Sequence, residues 1–191
     1  MARARAPDIR KIVIGAEWAG YFRNPAYYYD DPQRHLPMSD RAAWDRAFAA
    51  LGAMIQELRA LDKPVFVILN IPIGPALDPL HMLRRSLTGG VSIVAPGLDR
   101  PVFEAFWAPV RQRLRNVAAA AGAVVIDPIA VLCNATTCPA VTADGQLLYK
   151  DGDHLRASYV RDHIFFLDDI MSASPAPAAS HAPGPPAGAV Q

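Results

Sequence analysis

The stretch "PVFVIL", from Pro64 to Leu69, is a short apolar run that is rich in β-branched residues. Such a run is typical of a buried β-strand. Two further runs of the same kind occur in the chain, "KIVIGA" from Lys11 to Ala16 and "AVVID" from Ala123 to Asp127. The segments between the runs have the periodicity of helices, and strands that alternate with helices form parallel β-α-β units. The sequence therefore predicts an α/β fold with a mainly parallel sheet.

The longer segments between and after these strands predict helices. The first helix begins near Ser39, a residue suited to capping a helix N-terminus, and ends before Pro64. The second is capped by Asp99 and ends at Gly122, and a last helix is expected from Ala157 to Ser172. Apolar side chains recur along the first helix at spacings of four and three residues and give it one apolar face: Trp44, Phe48, Leu51, Ile55 and Leu58.

The remaining segments are shorter or irregular. Residues 80–87 are expected to form a short helix, and "VTADGQLLY" a small hairpin that turns at Asp144 and Gly145. Prolines and alanines dominate the end of the chain, a low-complexity composition that does not bury a core. We therefore predict one α/β domain over residues 1–172 and a disordered Pro/Ala-rich tail over residues 173–191.

Composition and charge exclude several classes of function. The chain has 191 residues, of which 52% are apolar, enough for one domain with its own core. The formal net charge of +1 gives no sign of a nucleic-acid partner. No apolar run approaches the roughly 18 residues that a membrane span requires. The start, "MARARAPDIRK", lacks the apolar region of a signal peptide. We expect no nucleic-acid partner and no transmembrane segment in this chain.

Chemically reactive side chains concentrate in "LLYKDGDHLRASYVRDH", from Leu147 to His163. Functional groups of parallel sheets lie on loops at the carboxyl ends of strands, and this segment follows the third predicted strand. Asp151 and His154 form an Asp-x-x-His pair, in which the acid can orient and charge a general base. Alternatively, Asp151 and Asp153 form a turn and cap the last helix. Ligands so close in sequence rarely build a metal site alone, so no metal and no cofactor are expected.

Three stretches together resemble a known family. The run "LCNATTCPAVTADGQLLYKDGDHLRASYVRDH" resembles the end of the SGNH hydrolase-like domain that is fused to membrane acyltransferases of the acyltransferase-3 class. "PDIRKIVIGAEWAGY" and "KPVFVILNIPIGP" resemble two strands of that domain with the loops that follow them. The resemblance extends from about Pro7 to Met171. It implies a three-layer α/β/α fold with a mainly parallel sheet, of the SGNH or flavodoxin-like kind, in which the first strand is missing.

The resemblance also assigns roles to residues of the closing motif. His154 matches the catalytic base of the family, and Asp151 matches the acid that orients it. The base takes the proton of a serine hydroxyl, which is otherwise a poor nucleophile. Asp153 is either a solvated turn residue or an alternative orienting acid. The family's loop is bounded by cysteines, so the resemblance implies a disulfide between Cys133 and Cys138; the residues alone leave two reduced thiols as the alternative.

Two features of the family are missing from the sequence. The family's nucleophile lies in a Gly-Asp-Ser motif after its first strand, and this chain has no such motif. None of the serines up to the start of the tail has the context of a nucleophile: Ser39, Ser86, Ser92, Ser158, Ser172 and Ser174. Where the family has a Gly-x-Asn oxyanion donor, this chain has Glu17 and Trp18, and Asn70 is a substitute only by position. The chain therefore resembles the carboxyl-terminal part of such a domain, without its serine.

The resemblance implies acyl transfer or ester hydrolysis in the O-acetylation of cell-envelope polysaccharide, such as lipopolysaccharide O-antigen. The implied partner is a cell-envelope glycan or the acyl-donor domain of a membrane acyltransferase, and the implied location is the periplasmic face of the inner membrane. Two alternatives remain open. In one, the chain is a non-catalytic module that binds glycan or a partner through Trp18, Tyr21 and the tyrosines at 27–29. In the other, it is an inactive gene remnant.

Overall fold

The computed structural model describes residues 1–94 and 97–172, so the predicted tail over residues 173–191 lies outside the described residues. The strands are, in chain order, β1 (Ile12–Gly15), β2 (Tyr28–Asp31), β3 (Arg34–Pro37), β4 (Val65–Ile68), β5 (Leu83–Arg85), β6 (Val91–Ile93), β7 (Leu98–Asp99), β8 (Val124–Ile126) and β9 (Thr137–Cys138). The α-helices are α1 (Trp18–Arg23), α2 (Arg41–Arg59), α3 (Pro79–Met82), α4 (Arg100–Ala120), α5 (Ile129–Leu132), α6 (Ala157–His163) and α7 (Asp168–Ser172).

The three predicted apolar strands form one parallel sheet in the order β1-β4-β8. The central strand is β4, in which Val67 lies opposite Ile14 of β1 and opposite Val125 of β8. Because the three strands run in the same direction, the loops that follow them begin at one edge of the sheet. The prediction of parallel β-α-β units is confirmed.

The two long helices begin at carboxylate caps. Asp99 caps α4 as predicted, because its Oδ1 accepts a hydrogen bond of 2.9 Å from a backbone amide of the first turn. The cap of α2 is Asp40 and not Ser39, and its Oδ1 accepts a bond of 2.8 Å. Ser39 lies one position too early to reach the free amides of the first turn. Gly122, at a φ of 76°, follows the end of α4 as predicted.

Both long helices cover the same face of the sheet. Ile14, Val67 and Val125 lie on that face and pack in one cluster with Ile55 of α2 and Leu114 of α4. The chain moves across the sheet in one direction, from β1 to β4 to β8, and successive right-handed crossovers in one direction place their helices on one side. This cluster is the main hydrophobic core.

The opposite face of the sheet is covered only in part. Phe66 and Ile126 pack against Ile170 of α7, whereas Val13 and Val124 are 46% and 54% exposed. The predicted three-layer arrangement needs a second helical layer here; α7 packs on this side together with Phe166 and Leu167, and the three-layer arrangement stays a prediction. The α/β class is confirmed by the parallel sheet and the helices α2 and α4 packed on it.

The last helix is broken, which corrects the prediction of one helix over 157–172. Helix α6 ends before Ile164, whose φ of −98° and ψ of 95° are extended, and α7 follows after a turn. The break lets Phe166 and Leu167 reach the second face of the sheet. Lys11 fastens this end, since its Nζ donates hydrogen bonds of 2.5 and 2.7 Å to two carbonyl oxygens of α7. Tertiary packing thus overrides the local helical pattern.

Two shorter predictions had different outcomes. The helix expected over residues 80–87 ends at Met82, because the chain beyond it forms an antiparallel hairpin of β5 and β6. Gly89 turns this hairpin at a φ of 87°. The hairpin predicted at Asp144 and Gly145 is confirmed, since Gly145 has a φ of 81° and an antiparallel bridge joins the two sides.

A buried ion pair fastens α4 to the end of β8. Arg111 is 7% exposed, and its Nη2 lies 2.8 Å from each carboxylate oxygen of Asp127. Arg115 also donates to this carboxylate, which in addition accepts the amide of Ile129 at 3.2 Å. Asp127 thereby joins β8, α4 and α5, a contact that helical periodicity does not reveal.

We predict that Asp127→Ala lowers the free energy of unfolding by about 3 kcal/mol, because it leaves the buried guanidinium of Arg111 without its counter-ion. Urea unfolding followed by circular dichroism measures the change. The matched control is Asp45→Ala in α2, which removes the partner of Arg113, another arginine of α4, from a more exposed ion pair. That control should cost under about 1 kcal/mol, and equal losses in the two variants would contradict the assignment.

Candidate functional site

The loops at the carboxyl edge of the sheet enclose a pocket of about 280 Å³. The ends of β1 and β4 form one part of its wall, and the loop that carries the Asp-x-x-His pair forms another. The polar side chains of the lining are Glu17, Asn70, Asp153 and His154. Segments that are distant in the sequence therefore meet in one pocket.

His154 presents one ring nitrogen to carboxylates and the other away from them. Its Nδ1 lies 2.9 Å from Asp151 Oδ1 and 2.9 Å from Asp153 Oδ1. Its Nε2 has no hydrogen-bond partner among the described residues. A carboxylate at Nδ1 stabilises the imidazolium that forms when Nε2 takes a proton. The arrangement has the geometry of a general base.

The carboxylate of Asp151 accepts more hydrogen bonds than that of Asp153. Its Oδ1 accepts backbone amides of Asp153 at 3.2 Å and of His154 at 2.8 Å. Burial opposes its ionisation, but hydrogen bonds with Asp153 and His154 outweigh burial and hold the pKa of Asp151 below its ordinary value. The two acids form a turn, as the alternative prediction held. They do not cap the last helix, since α6 begins after Arg156 without a side-chain cap.

Backbone hydrogen bonds hold this loop in place. Gly74 N, in the loop after β4, donates to Gly152 O at 2.8 Å, and a Cβ on Gly152 would lie 3.1 Å from Gly74 O. On the other side, Lys150 N donates to His154 O at 2.9 Å. Glycine allows the two loops to approach closely. Sequence reasoning missed this contact, for which the only signal was the glycine between the two acids.

Tyr149, just before the Asp-x-x-His loop, is buried and its hydroxyl has no partner among the described residues. It is 1% exposed and packs against Leu77 and Met82. Its buried Oη has no hydrogen-bond partner among the described residues. Burial, and secondarily the charge of Tyr159, raise the pKa of Tyr149, so its hydroxyl stays neutral.

Asn70 and Glu17 occupy the place where an oxyanion donor is expected. Asn70 is 9% exposed and its Oδ1 accepts the amide of Ala19 at 3.1 Å, which leaves Nδ2 without a partner among the described residues. Glu17 caps α1, and its Oε1 accepts the amide of Gly20 at 2.8 Å. Asn70 can therefore donate a hydrogen bond into the pocket, whereas Glu17 has a structural task.

No residue that lines the pocket is a serine. The serines that the structure describes are all exposed, at positions 39, 86, 92, 158 and 172. Ser86 Oγ pairs with Thr88, and Ser172 Oγ donates to a carbonyl of its own helix at 2.9 Å. The described residues thus bring together a histidine, two carboxylates and a side-chain amide, but no serine.

The aromatic residues of the predicted binding surface are divided between core and surface. Trp18 is 8% exposed, and its Nε1 donates to Ile68 O at 2.8 Å. The first turn of α1 directs the indole into the core, so Trp18 cannot stack on a sugar. Tyr21 and Tyr27 remain on the surface with ring centroids 5.3 Å apart.

Cys133 and Cys138 form a disulfide, as the resemblance implied, so the alternative of two reduced thiols is wrong. The bridge closes the loop before β9, in which Cys138 pairs with Leu98 of β7. Gly97 precedes this pair at a φ of 71°, and a Cβ there would lie 2.5 Å from Cys138 O. The disulfide therefore fixes a segment between β8 and the Asp-x-x-His loop.

The side chains of the Asp-x-x-His loop also carry potential metal ligands. Ligand atoms of Asp151, Asp153 and His154 lie within 4.8 Å of one another. Asp151 Oδ1 and Asp153 Oδ1 each lie 2.9 Å from His154 Nδ1, the separation of a hydrogen bond or ion pair.

A parallel sheet with an acid-histidine pair and a donor amide at its carboxyl edge is compatible with an acyl-transfer or ester-hydrolysing α/β domain. The family model described as "SGNH domain (fused to AT3 domains)" matches residues 1–162. The protein belongs to this family, and the resemblance found in the sequence is confirmed. Comparisons with curated proteins and with solved structures give no match.

Membership of this family supports an acyl-transfer or esterase-like role in the context of a membrane acyltransferase. Among residues 1–94 and 97–172, every helix is too short or too polar to cross a bilayer.

We predict that the carboxyl group of Asp151 titrates below the ordinary value of 3.8. Its hydrogen bonds therefore stabilise the loop above about pH 4 and are lost as the pH falls through the lower, folded-state value. The titration of its carboxyl carbon by ¹³C NMR measures the midpoint. His154→Ala removes one of the partners and should move the midpoint upward, whereas His163→Ala should leave it unchanged. A midpoint at or above the ordinary value would contradict the geometry.

We predict that Tyr149→Phe raises the free energy of unfolding at pH 7 by about 1 kcal/mol, because it removes a buried hydroxyl without a partner. The raised pKa of Tyr149 also means that the wild type loses stability as the pH rises above about 10, and this loss should shrink in the variant. Urea unfolding at neutral and alkaline pH tests both effects. Tyr28→Phe, at a residue 49% exposed, is the control and should change little. A destabilised Tyr149→Phe would show that the hydroxyl has a partner.

Proposed function

We propose that the domain supplies the base and its orienting acid, His154 and Asp151, for acyl transfer or ester hydrolysis in the O-acetylation of cell-envelope polysaccharide. The observation that carries this proposal is the contact of His154 Nδ1 with Asp151 at 2.9 Å, on the wall of a pocket at the carboxyl edge of the sheet. The substrate by this proposal is an envelope glycan such as lipopolysaccharide O-antigen. The partner is the acyl-donor domain of a membrane acyltransferase.

The chemistry follows from the atoms that face the pocket. His154 Nε2 takes the proton of a serine hydroxyl as the oxygen attacks an ester carbonyl, and Asp151 stabilises the imidazolium. The tetrahedral intermediate carries an oxyanion, to which Asn70 Nδ2 can donate. The intermediate then collapses to an acyl-serine, and the imidazolium returns the proton to the leaving alcohol. A sugar hydroxyl or water reverses these steps and releases the acyl group.

The serine in this proposal comes from a strand beyond the sequence in hand or from another chain. Strand β1 pairs with β4 on one side, and its other edge has no partner among the described residues. A parallel strand added there would end at the same edge as His154. The loop after that strand would reach the pocket beside Gly15 and Glu17.

The proposed location is the periplasmic face of the inner membrane. The disulfide between Cys133 and Cys138 supports it, because disulfides persist in oxidising compartments. Fusion of the family to AT3 domains supports the membrane context.

The experiment begins with the nucleotide sequence upstream of the codon for Met1, translated in all frames. We expect an open frame that encodes Gly-Asp-Ser and membrane helices. In the longer protein, His154→Ala should lower kcat about 10²- to 10⁴-fold, because the base is lost. Transfer of labelled acetyl groups to purified envelope polysaccharide measures this.

The matched control is His35→Ala, since His35 is also exposed and paired with an acid, Asp30, but does not line the pocket. It should leave kcat within twofold. Unrelated upstream sequence, or equal losses in the two variants, would contradict the catalytic proposal. Binding through the exposed Tyr21 and Tyr27 would then be the remaining candidate function.

A further inference from the structure

The hairpin of β5 and β6 stands out from the domain on a fixed base. Met82, directly before it, is buried in one cluster with Leu77 and Tyr149. Val94 N, directly after it, donates to Met82 O at 2.8 Å. The two strands pair with each other and with no other strand among the described residues, and every residue from 83 to 92 is exposed. The hairpin is therefore held at its base and free at its tip.

Aliphatic side chains cover the free part of the hairpin. Leu87, in the turn between the strands, is fully exposed, and Leu83 and Val91 on the strands are 52% and 64% exposed. Turns that face water normally carry polar residues, because aliphatic groups gain free energy by leaving water. Aliphatic side chains grouped at a protruding tip mark a surface that contacts a membrane or a protein.

The same segment carries positive charge only. No aspartate or glutamate occurs between Asp78 and Asp99, although the whole chain has 18 acidic residues against 19 lysines and arginines. Arg84 and Arg85 are exposed and form no ion pair with a described residue. The acid nearest to them in sequence, Asp78, already contacts His81 at 3.4 Å. Because arginine is well suited to phosphate groups, the charge complement of the hairpin is an anionic surface that carries phosphate.

The turn satisfies much of its own polar surface. Ser86 N donates to Gly90 O at 2.7 Å, and Gly89 N donates to Ser86 O at 3.1 Å. The hydroxyls of Ser86 and Thr88 lie 2.7 Å apart and pair with each other. Polar groups that already have partners cost little free energy when they leave water. The tip can therefore enter a region of low polarity.

The two arginines lie on opposite faces of the hairpin, since neighbouring residues of a strand alternate between its faces. Arg85 shares its face with Leu83 and pairs with Val91 of β6, whereas Arg84 is on the other face. A bilayer surrounds a protruding tip with phosphate groups on every side, while a protein partner contacts one face of it. Arginine stems lie along apolar surface while their guanidinium groups stay in a polar layer. This arrangement favours a lipid surface over an acidic protein.

We propose that the hairpin of β5 and β6 binds the surface of a bilayer that contains anionic phospholipid. Leu87 enters the boundary of the acyl chains, and Arg84 and Arg85 contact the phosphates. Membership of a family that is fused to AT3 domains supports a membrane within reach of the domain. The inference goes beyond the proposed function, because it concerns how the domain lies on a membrane and not the reaction at His154.

Flotation of the full chain with lipid vesicles tests the proposal. One set of vesicles is phosphatidylcholine alone, and the other contains about 30% phosphatidylglycerol, which gives the surface a negative potential. We expect the chain to bind the anionic vesicles at least about tenfold more tightly. Salt should release it, because the attraction between exposed charges is screened. Equal binding to the two sets, or binding to neither, would overturn the proposal.

The double substitution Arg84→Gln and Arg85→Gln tests the charge of the hairpin. Each arginine near an anionic surface strengthens binding by about fivefold, so affinity for the anionic vesicles should fall by roughly 25-fold. The matched control is Arg10→Gln with Arg34→Gln, which removes the same charge from exposed residues outside the hairpin. Its loss should stay below about threefold, because charges held away from the surface are screened. Equal losses in the two proteins would show a general effect of net charge and would overturn the proposal.

Leu87→Ser tests the apolar part of the hairpin. Affinity for the anionic vesicles should fall by at least about fivefold, because a leucine side chain no longer leaves water. Val131→Ser, at an exposed valine of α5, is the matched control and should bind like the wild type. Both positions are exposed, so urea unfolding should show unchanged midpoints. Binding that needs the arginines but not Leu87 would indicate a soluble polyanion as the partner and overturn the proposal.

A fluorescent label reports whether the tip enters the bilayer. Cys133 and Cys138 are bonded to each other, so Leu87→Cys introduces a thiol that a thiol-reactive nitrobenzoxadiazole can label selectively. Its emission should shift to the blue when anionic vesicles are added, because the label moves into a less polar layer. The same label at Val131→Cys should keep its emission. An unshifted label at position 87 would overturn the proposal.

Two outcomes separate this inference from the proposed function. His154→Ala should bind the anionic vesicles like the wild type, because His154 lies outside the hairpin. Vesicle binding through the hairpin by a chain whose completed protein transfers no acetyl groups would refute the proposed function and leave the membrane-contact site. Acetyl transfer by the completed protein, together with equal vesicle binding by the wild type and Leu87→Ser, would refute the membrane-contact site and leave the proposed function.

Discussion

The backbone pairing of β4 with a parallel strand on each side is the constraint on which the rest of the structure depends. Val65 and Val67 are buried to 1% exposure or less, and their strand holds β1 and β8 in register. Parallel pairing sends the loops after these strands to one edge. It also fixes the crossovers that place α2 and α4 on one face. Both the core and the position of the pocket follow from this pairing.

The Asp-x-x-His loop needs a second constraint, because it lies far along the chain from β8. The disulfide at Cys133 shortens the intervening segment, and the hydrogen bond from Gly74 to Gly152 joins the loop to the end of β4. A loop fixed by its backbone can hold an acid-histidine pair in water with little help from burial. That is consistent with His154, whose side chain is 63% exposed yet oriented by two carboxylates.

Local patterns in the sequence were sufficient for the strands, for the cap Asp99 and for the turn at Gly145, since each depends on neighbouring residues. They failed where distant residues compete. Packing on the second sheet face breaks the last helix at Ile164, and a hydrogen bond to Ile68 turns Trp18 inward. The acid-histidine pair could be read from its spacing and the family resemblance. The tie between Gly74 and Gly152 could not, because nothing in either loop specifies the other.

Among the described residues, an unpaired strand edge and a pocket without a serine both lie at β1. The outer edge of β1 has no partner among them, and Val13 beside it is 46% exposed, an arrangement that invites pairing with another strand. The pocket next to the end of β1 is lined by His154, the proposed base, and by the amide of Asn70, but by no serine. One parallel strand on β1 would satisfy the backbone edge, cover apolar surface and bring its following loop to His154. The proposed strand would thus meet a stability requirement and a chemical requirement at once. The two requirements together support a nucleophile-bearing strand more strongly than either does alone.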